Sequence, residues 1–276
     1  MNNRKSSKVQ SHFTTVLTYV IVLSSLLPLL WLVLTSLKTQ VEALKMPPSI
    51  IFKPSLENFR MVLGRGSFVH GYINSLVIAL GTTSIALIFG ISAGYSLSRP
   101  SGQGSKYMGR WIVLARMAPP VTFAIPLYLA FSHLKMLDNY FSLIITYLTI
   151  VLPFVTWLMR GFFKSLPPEM EEAARIDGCS RIQALFRILI PSVKSGVATC
   201  AIFGTIMAWN EFFYALIISG RNTRPVSVDI QTFISAAGTD WGALTAAGLL
   251  VVAPVLLFTV FAQKGLLRGL TSGSVK

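Results

Sequence analysis

The chain has 276 residues, of which 53% are hydrophobic and 12% charged, about half the charge fraction of a soluble domain. That composition excludes an ordinary water-soluble domain and makes a bilayer the expected solvent. The formal net charge of +14 falls between apolar runs, with no basic stripe interleaved with stacking aromatics, so a nucleic-acid partner is excluded as well.

Arg4, Lys5 and Lys8 mark a polar N-terminal tail, residues 1–15. The apolar run that follows, Val16 to Leu37, is too long for a signal-peptide core and has no small-residue cleavage site, so it reads as a retained first span. The connector from Lys38 to Gly71 is long enough for a short external helix around Leu56 to Leu63, on which an extracytoplasmic partner could rest; a solvated linker is the alternative. A second span over Tyr72 to Leu97 carries Gly90 and Gly94, four residues apart, a spacing that lets two helices approach closely.

Further spans are expected over Trp111 to Phe131, Phe141 to Met159, Val197 to Ser219 and Gly242 to Gln263, each near the roughly 20 apolar residues that cross a bilayer. Six spans place both termini on one side. Pro28, Pro119, Pro120, Pro126, Pro153 and Pro254 fall inside these runs. Membrane helices tolerate them because neighbouring groups re-satisfy the freed carbonyls, and they fit either kinked helices around a pathway or irregular packing. About 15 Lys and Arg lie on the side of the termini against about 8 on the other, with Arg116 inside a span, which puts both tails in the cytoplasm.

Between the fourth and fifth spans lies a polar island, "LPPEMEEAARIDGCSRIQALFRILIP", Leu166 to Pro191. Pro167 and Pro168 suit a first helical turn, Glu169, Glu171 and Glu172 suit the positive end of the helix dipole, and Gly178 suits a left-handed C-terminal cap. Ser180 to Gln183 matches a capping box. Ile182, Leu185, Phe186 and Leu189 then recur on one face of a second helix that Pro191 is expected to end. Two short helices with a glycine corner form a knob able to fit a groove on a cytoplasmic protein, or an interfacial pair resting on lipid headgroups.

Glu172, Ala173, Ala174, Gly178, Ile188, Ile190 and Pro191 stand at the spacing E-A-A, three residues, G, nine residues, I-x-(L or I)-P. This resembles the loop signature of inner-membrane permeases of bacterial ABC importers, with Ile190 where leucine is commoner. "NSLVIA" (Asn74 to Ala79), "YSLSR" (Tyr95 to Arg99), "AWNEFFYAL" (Ala208 to Leu216), "WGALTAA" (Trp241 to Ala247) and "GLTSGSVK" (Gly269 to Lys276) are similar to the carbohydrate-uptake branch, in particular to the smaller six-span permease of the maltose-transporter type.

The resemblance implies an all-α polytopic bundle of six transmembrane helices over residues 16–263, with a cytoplasmic coupling loop at 160–195 and a cytoplasmic tail at 264–276. It implies a bacterial inner-membrane subunit that imports a sugar, polyol or sugar derivative. The partners it implies are a second permease, two cytoplasmic ATPase subunits that bind ATP and Mg, and an extracytoplasmic solute-binding protein. Glu172, Ala173, Ala174, Asp177, Gly178, Ile188 and Pro191 are then the ATPase-coupling residues, and Gly269, Leu270, Thr271, Ser272 and Gly273 a tail that reaches toward the ATPase.

No phosphate-cradling G-x-x-x-x-G-K-[ST] loop is present, and His12, His70 and His133 stand singly, so no catalytic site, metal or cofactor is expected in this chain. Cys179 and Cys200 offer neither a disulfide framework nor a metal cluster. Intramembrane charge is costly, which singles out Arg116 and Glu211. Glu211 with Trp209 and Asn210 is a candidate pathway or gate, or Glu211 pairs with Arg221 or Arg224. A rival function, a stand-alone secondary transporter, would have to work with one intramembrane carboxylate and no evident inverted repeat.

Overall fold

The apolar runs fold as helices because no water is available to the backbone in a bilayer, so each N–H and C=O must be satisfied within its own segment. The computed structural model describes residues 2–99, 103–235 and 238–271, with side chains given for 14–99, 107–112, 114, 117–235 and 238–260. Four helices among these are long and apolar enough to span a membrane, or up to five if a bent pair at 181–209 counts as one.

One compact unit comprises residues 1–66 and 230–250. It contains α1 (Asn2–Ser36), α2 (Gln40–Ala43) and α3 (Glu57–Gly64), the short helix expected near Leu56 to Leu63. The carbonyls left over at the end of α1 are taken by Asn58, whose Nδ2 donates to Ser36 O at 2.8 Å and Lys38 O at 2.7 Å. Lys38 itself is buried, its Nζ 5.1 Å from the Trp31 ring and 5.2 Å from the Phe52 ring.

The second unit comprises residues 67–229 and 251–276. Its helices begin with α4 (Gly66–Ser98), α5 (Gln103–Met117), α6 (Pro120–His133) and α7 (Tyr140–Lys164). Gly90 and Gly94 do bring helices together: a Cβ at Gly90 would lie 2.7 Å from Val155, and one at Gly94 2.8 Å from Met159, both on α7. Arg160 Nε adds a bond to Leu97 O at 3.2 Å, so α4 and α7 are joined tightly over their last turns.

The run expected as one span from Trp111 to Phe131 is broken between α5 and α6. Pro119 is extended (φ −61°, ψ 138°) because a residue before proline is pushed out of the helical region, and Pro120 then opens α6.

Beyond α7 come α8 (Glu169–Ile176), α9 (Arg181–Ala184), a π-helical turn at Leu185–Leu189, and α10 (Ile190–Ser192). Pro191 does not end this second island helix as expected. It lies within the continuous helical stretch, just after the π-helical turn, and the chain bends by 80° at Val193 instead. The single apolar face also divides: Leu185 and Leu189 are buried, while Ile182 and Phe186 are 71% and 61% exposed. The wider i→i+5 turn displaces positions that a regular helix would align.

The fifth expected span, Val197 to Ser219, is likewise interrupted. It forms α11 (Lys194–Trp209) and α12 (Phe213–Ile218), with Asn210 to Phe212 outside both helices. α13 (Val226–Asp229), a 3-10 turn at Ile230–Phe233 and α14 (Trp241–Thr271) complete the chain. The one departure from an all-α class among the described residues is a two-residue antiparallel ribbon, β1 (Ile234–Ser235) with β2 (Gly238–Thr239).

Candidate functional site

The island is built from its caps inward. At the end of α8, Cys179 N donates to Ala174 O at 3.0 Å and Gly178 N to Arg175 O at 3.1 Å, the paired bonds of a Schellman motif, and Gly178 takes φ +89°. α9 starts on the expected capping box, Gln183 N donating to Ser180 Oγ at 3.3 Å and Ser180 N to Gln183 Oε1 at 2.8 Å. Two independent local signals thus set the corner.

Of the residues singled out in this loop, Glu172, Ala173, Asp177 and Gly178 are exposed, as is Pro191, and Ile188 is half-buried. Ala174 is different: at 2% exposure it packs within its own chain, so its small size serves internal fit and its side chain is not offered outward.

Sequence reasoning used Glu171 only as a helix-dipole residue and missed its main contacts. Its carboxylate accepts from Tyr95 Oη at 2.5 Å and from Arg99 Nε at 3.0 Å, joining α8 to the end of α4. Burial would raise the Glu171 pKa, but the bonds from Tyr95 and Arg99 and the charges of Arg99 and Arg181 outweigh it and hold the carboxyl below its ordinary value. The available signal was "YSLSR", quoted above for its resemblance. Between these elements lies a groove of about 570 Å³, lined in part by Arg99, Lys164, Arg175 and Arg181.

At the opposite end of α7, Asp138 was also missed. Its Oδ1 accepts from Gly220 N at 3.0 Å, Thr223 N at 2.9 Å and Thr223 Oγ1 at 2.8 Å, and its Oδ2 from Asn222 N at 3.1 Å and Nδ2 at 2.8 Å. Burial opposes the charge, yet the donors of Asn222, Thr223 and Gly220 prevail and lower the pKa. Nothing in the pattern around Asp138 names a loop more than 80 residues away as its partner.

The pathway candidates separate. Trp209 is buried, donates from Nε1 to Val251 O at 3.1 Å and meets the Tyr72 ring edge-on at 5.1 Å. Glu211 Oε1 accepts from Tyr214 N at 2.6 Å and caps α12, and its carbonyl accepts from Ser227 Oγ at 2.9 Å. Asn210 is exposed. A cavity of about 180 Å³ lies beside both helix breaks, lined by Ala118, Pro120, Phe123, Thr149, Met207 and Tyr214 among others. The side chains of Arg116, Gly269, Leu270 and Thr271, and all of Ser272 and Gly273, lie outside the described residues.

Against known proteins, residues 86–272 match the family model described as binding-protein-dependent transport system inner membrane component. The chain is 36% identical over 251 residues to a probable ABC transporter permease protein, y4oR, of Sinorhizobium fredii, covering 91% of this chain and 90% of that one. It is 31% identical to the sulfoquinovosyl glycerol transport system permease protein SmoH of Agrobacterium fabrum, over 93% and 91% of the two chains. To the trehalose transport system permease protein SugB of Mycobacterium tuberculosis it is 30% identical, over 96% and 97%.

Among solved structures, a chain of a bacterial ABC transporter involved in the import of the acidic polysaccharide alginate superposes with a TM-score of 0.81 at 23% identity, over 94% of this chain and 97% of that one. A chain of a bacterial alginate ABC transporter in complex with an alginate pentasaccharide-bound periplasmic protein gives 0.68 at 15%, over 93% and 94%. Those two likenesses establish the fold. The family match and the curated relatives, together with the apolar helices described above, establish that this chain belongs to the inner membrane permease components of binding-protein-dependent ABC importers.

Proposed function

We propose that this permease imports a sugar or sugar derivative and shares its translocation pathway with a second permease. Two cytoplasmic ATPase subunits, which hold ATP and Mg, drive it, and an extracytoplasmic binding protein delivers the solute. The trehalose, sulfoquinovosyl glycerol and diacetylchitobiose permeases among its relatives support a glycoside-like solute. The chain crosses the inner membrane six times with both termini cytoplasmic, the broken runs at Trp111 to Phe131 and Val197 to Ser219 each counting as a span.

The observation that carries this reading is the island. Its corner is locked by a Schellman motif and a capping box, and Glu172, Ala173, Asp177 and Gly178 are all exposed on it. A short helix held rigidly at its corner can seat in a cleft of an ATPase and pass on that subunit's motion. Ile188 and Pro191 support the second island helix, the tail at 269–273 makes a further ATPase contact, and the surface around Asn210 lines the pathway. Hydrolysis belongs to the partner ATPase.

The test is a gentle-detergent pull-down of this chain. ATPase activity is then measured with and without the external binding protein loaded with trehalose, sulfoquinovosyl glycerol or chitobiose derivatives. Co-purification of an ATPase and a second permease, with hydrolysis stimulated by one loaded binding protein, is the expected result. A chain that emerges alone and transports in ATP-free vesicles would make it a secondary transporter.

A further inference from the structure

A coupling helix attached to the membrane helices only through its chain ends has loose joints. α8 is joined to α7 through Ser165 to Pro168, outside any helix, and to α11 through the π-helical turn and the 80° bend at Val193. α8 also packs through Ala174 against the rest of the island, but the island as a whole could still rotate at those points unless a third attachment tied it to a membrane helix as well.

We propose that the Arg99–Glu171 ion pair, with Tyr95, is that attachment: a mechanical link by which movement of the coupling helix reaches α4 directly. This rests on the coupling role proposed above for the island. Tyr95 lies in the last turn of α4 and Arg99 just beyond it, and both bond a carboxylate more than 70 residues away in sequence. The ion pair is largely shielded, with side chains 24% and 12% exposed, so it resists water and salt better than a surface pair.

The groove of about 570 Å³ beside these bonds means that part of α8 faces α4 across open space. There the polar link supplies a connection that packing does not. α4 passes the load on, because Gly90, Gly94 and the Arg160 to Leu97 bond hold it against α7, and the Tyr95 ring itself meets Phe163 of α7 edge-on at 5.8 Å. Adjacent glutamates thus divide the work: Glu172 is exposed at the edge of the groove, and Glu171 bonds the end of the chain's own span. Arg99 and Glu171 are positioning residues, acting on the pathway only through α4.

The test uses the assembled transporter, purified through a tag on this chain and returned to nanodiscs. Cys179→Ser and Cys200→Ala remove the native thiols, and Ala118→Cys, beside the break between α5 and α6, reports access to the pathway by its rate of maleimide labelling with and without ATP plus vanadate. In that parent, trapping changes the labelling rate. In Arg99→Ala and Glu171→Ala, hydrolysis stays within about twofold of the parent while the labelling response shrinks about tenfold, as expected for loss of a shielded charge-assisted bond. Arg99→Lys keeps the charge but loses the Nε–H donor to Glu171 and gives an intermediate response, and Arg99→Glu combined with Glu171→Arg recovers part of it.

A full labelling response in Arg99→Ala overturns the link. So does a parallel fall of hydrolysis and labelling in every variant, Arg99→Lys included, since that is how a merely structural pair behaves. A parent that recovers no ATPase, or that does not respond to trapping, overturns the coupling role of the island instead.

Discussion

Asp138 and Glu171 stand at opposite ends of α7, and both are carboxylates held below their ordinary pKa by hydrogen bonds that outweigh burial. They differ in what donates. Asp138 gathers three backbone amides from residues 220–223 together with side-chain donors from Asn222 and Thr223, so it determines the course of a loop. Glu171 takes side-chain donors only, from Tyr95 and Arg99, so it ties two preformed helices without shaping either. A carboxylate that organises backbone acts as a buckle whose loss unravels structure; one that bridges side chains acts as a linkage that can be altered with the fold intact.

The sharpest way to break this contrast is Asp138→Ala. Five donors lose their acceptor at once, and a cost of about 3 kcal/mol or more is expected, read as a lowered unfolding midpoint in detergent. Glu171→Ala should cost clearly less in the same assay; equal losses would erase the distinction. Gly94→Leu comes next, since even a Cβ there meets Met159 at 2.8 Å, and overpacking between α4 and α7 should cost about 1–3 kcal/mol and weaken the response at Ala118→Cys.

Gly178→Val should leave membrane insertion intact, because a Cβ there meets nothing within 4 Å. The strain of a β-branched residue at φ +89°, about 1–2 kcal/mol, reshapes the corner and should separate ATP hydrolysis from uptake; uptake at the parent's rate would remove the corner from the coupling path.

Acid provides a finer comparison. Both carboxyls have folded-state pKa values below their unfolded ones, so their contributions are fully present above the ordinary carboxylate range and are lost as the pH falls through the lowered values. Stability should therefore be flat from pH 8 to about pH 5 and fall below that, and Asp138→Asn should remove more of the acid-dependent part than Glu171→Gln. The smallest effect is expected from Ser180→Ala, about 1 kcal/mol from the lost capping bond, with ATPase recovery in the pull-down little changed.

What could be read along the chain was what local chemistry decides. The caps at Gly178 and Ser180 appear where their residue types require them, because a left-handed turn and an N-terminal acceptor depend on neighbours within a few positions. The Gly90 and Gly94 pair predicted close approach and α7 occupies that space, although the spacing did not name the partner. An uninterrupted helix is not what forms at Pro119 and at Asn210 to Phe212, where hydropathy continues although the helix does not. Hydropathy reports transfer into lipid and is insensitive to where a backbone turns.

Composition and local pattern were thus enough for the solvent of the chain, the number and rough position of its apolar runs, the corner of its polar island and the family resemblance. Folding alone settled which glutamate pairs with Arg99, that Ala174 packs against its own chain, that Glu211 caps a helix and that Asp138 closes a distant loop. The physical reason is range. Periodicity and capping act over one or two turns of chain, whereas a carboxylate's partner is chosen by whichever donors folding brings within about 3 Å, from any distance in sequence.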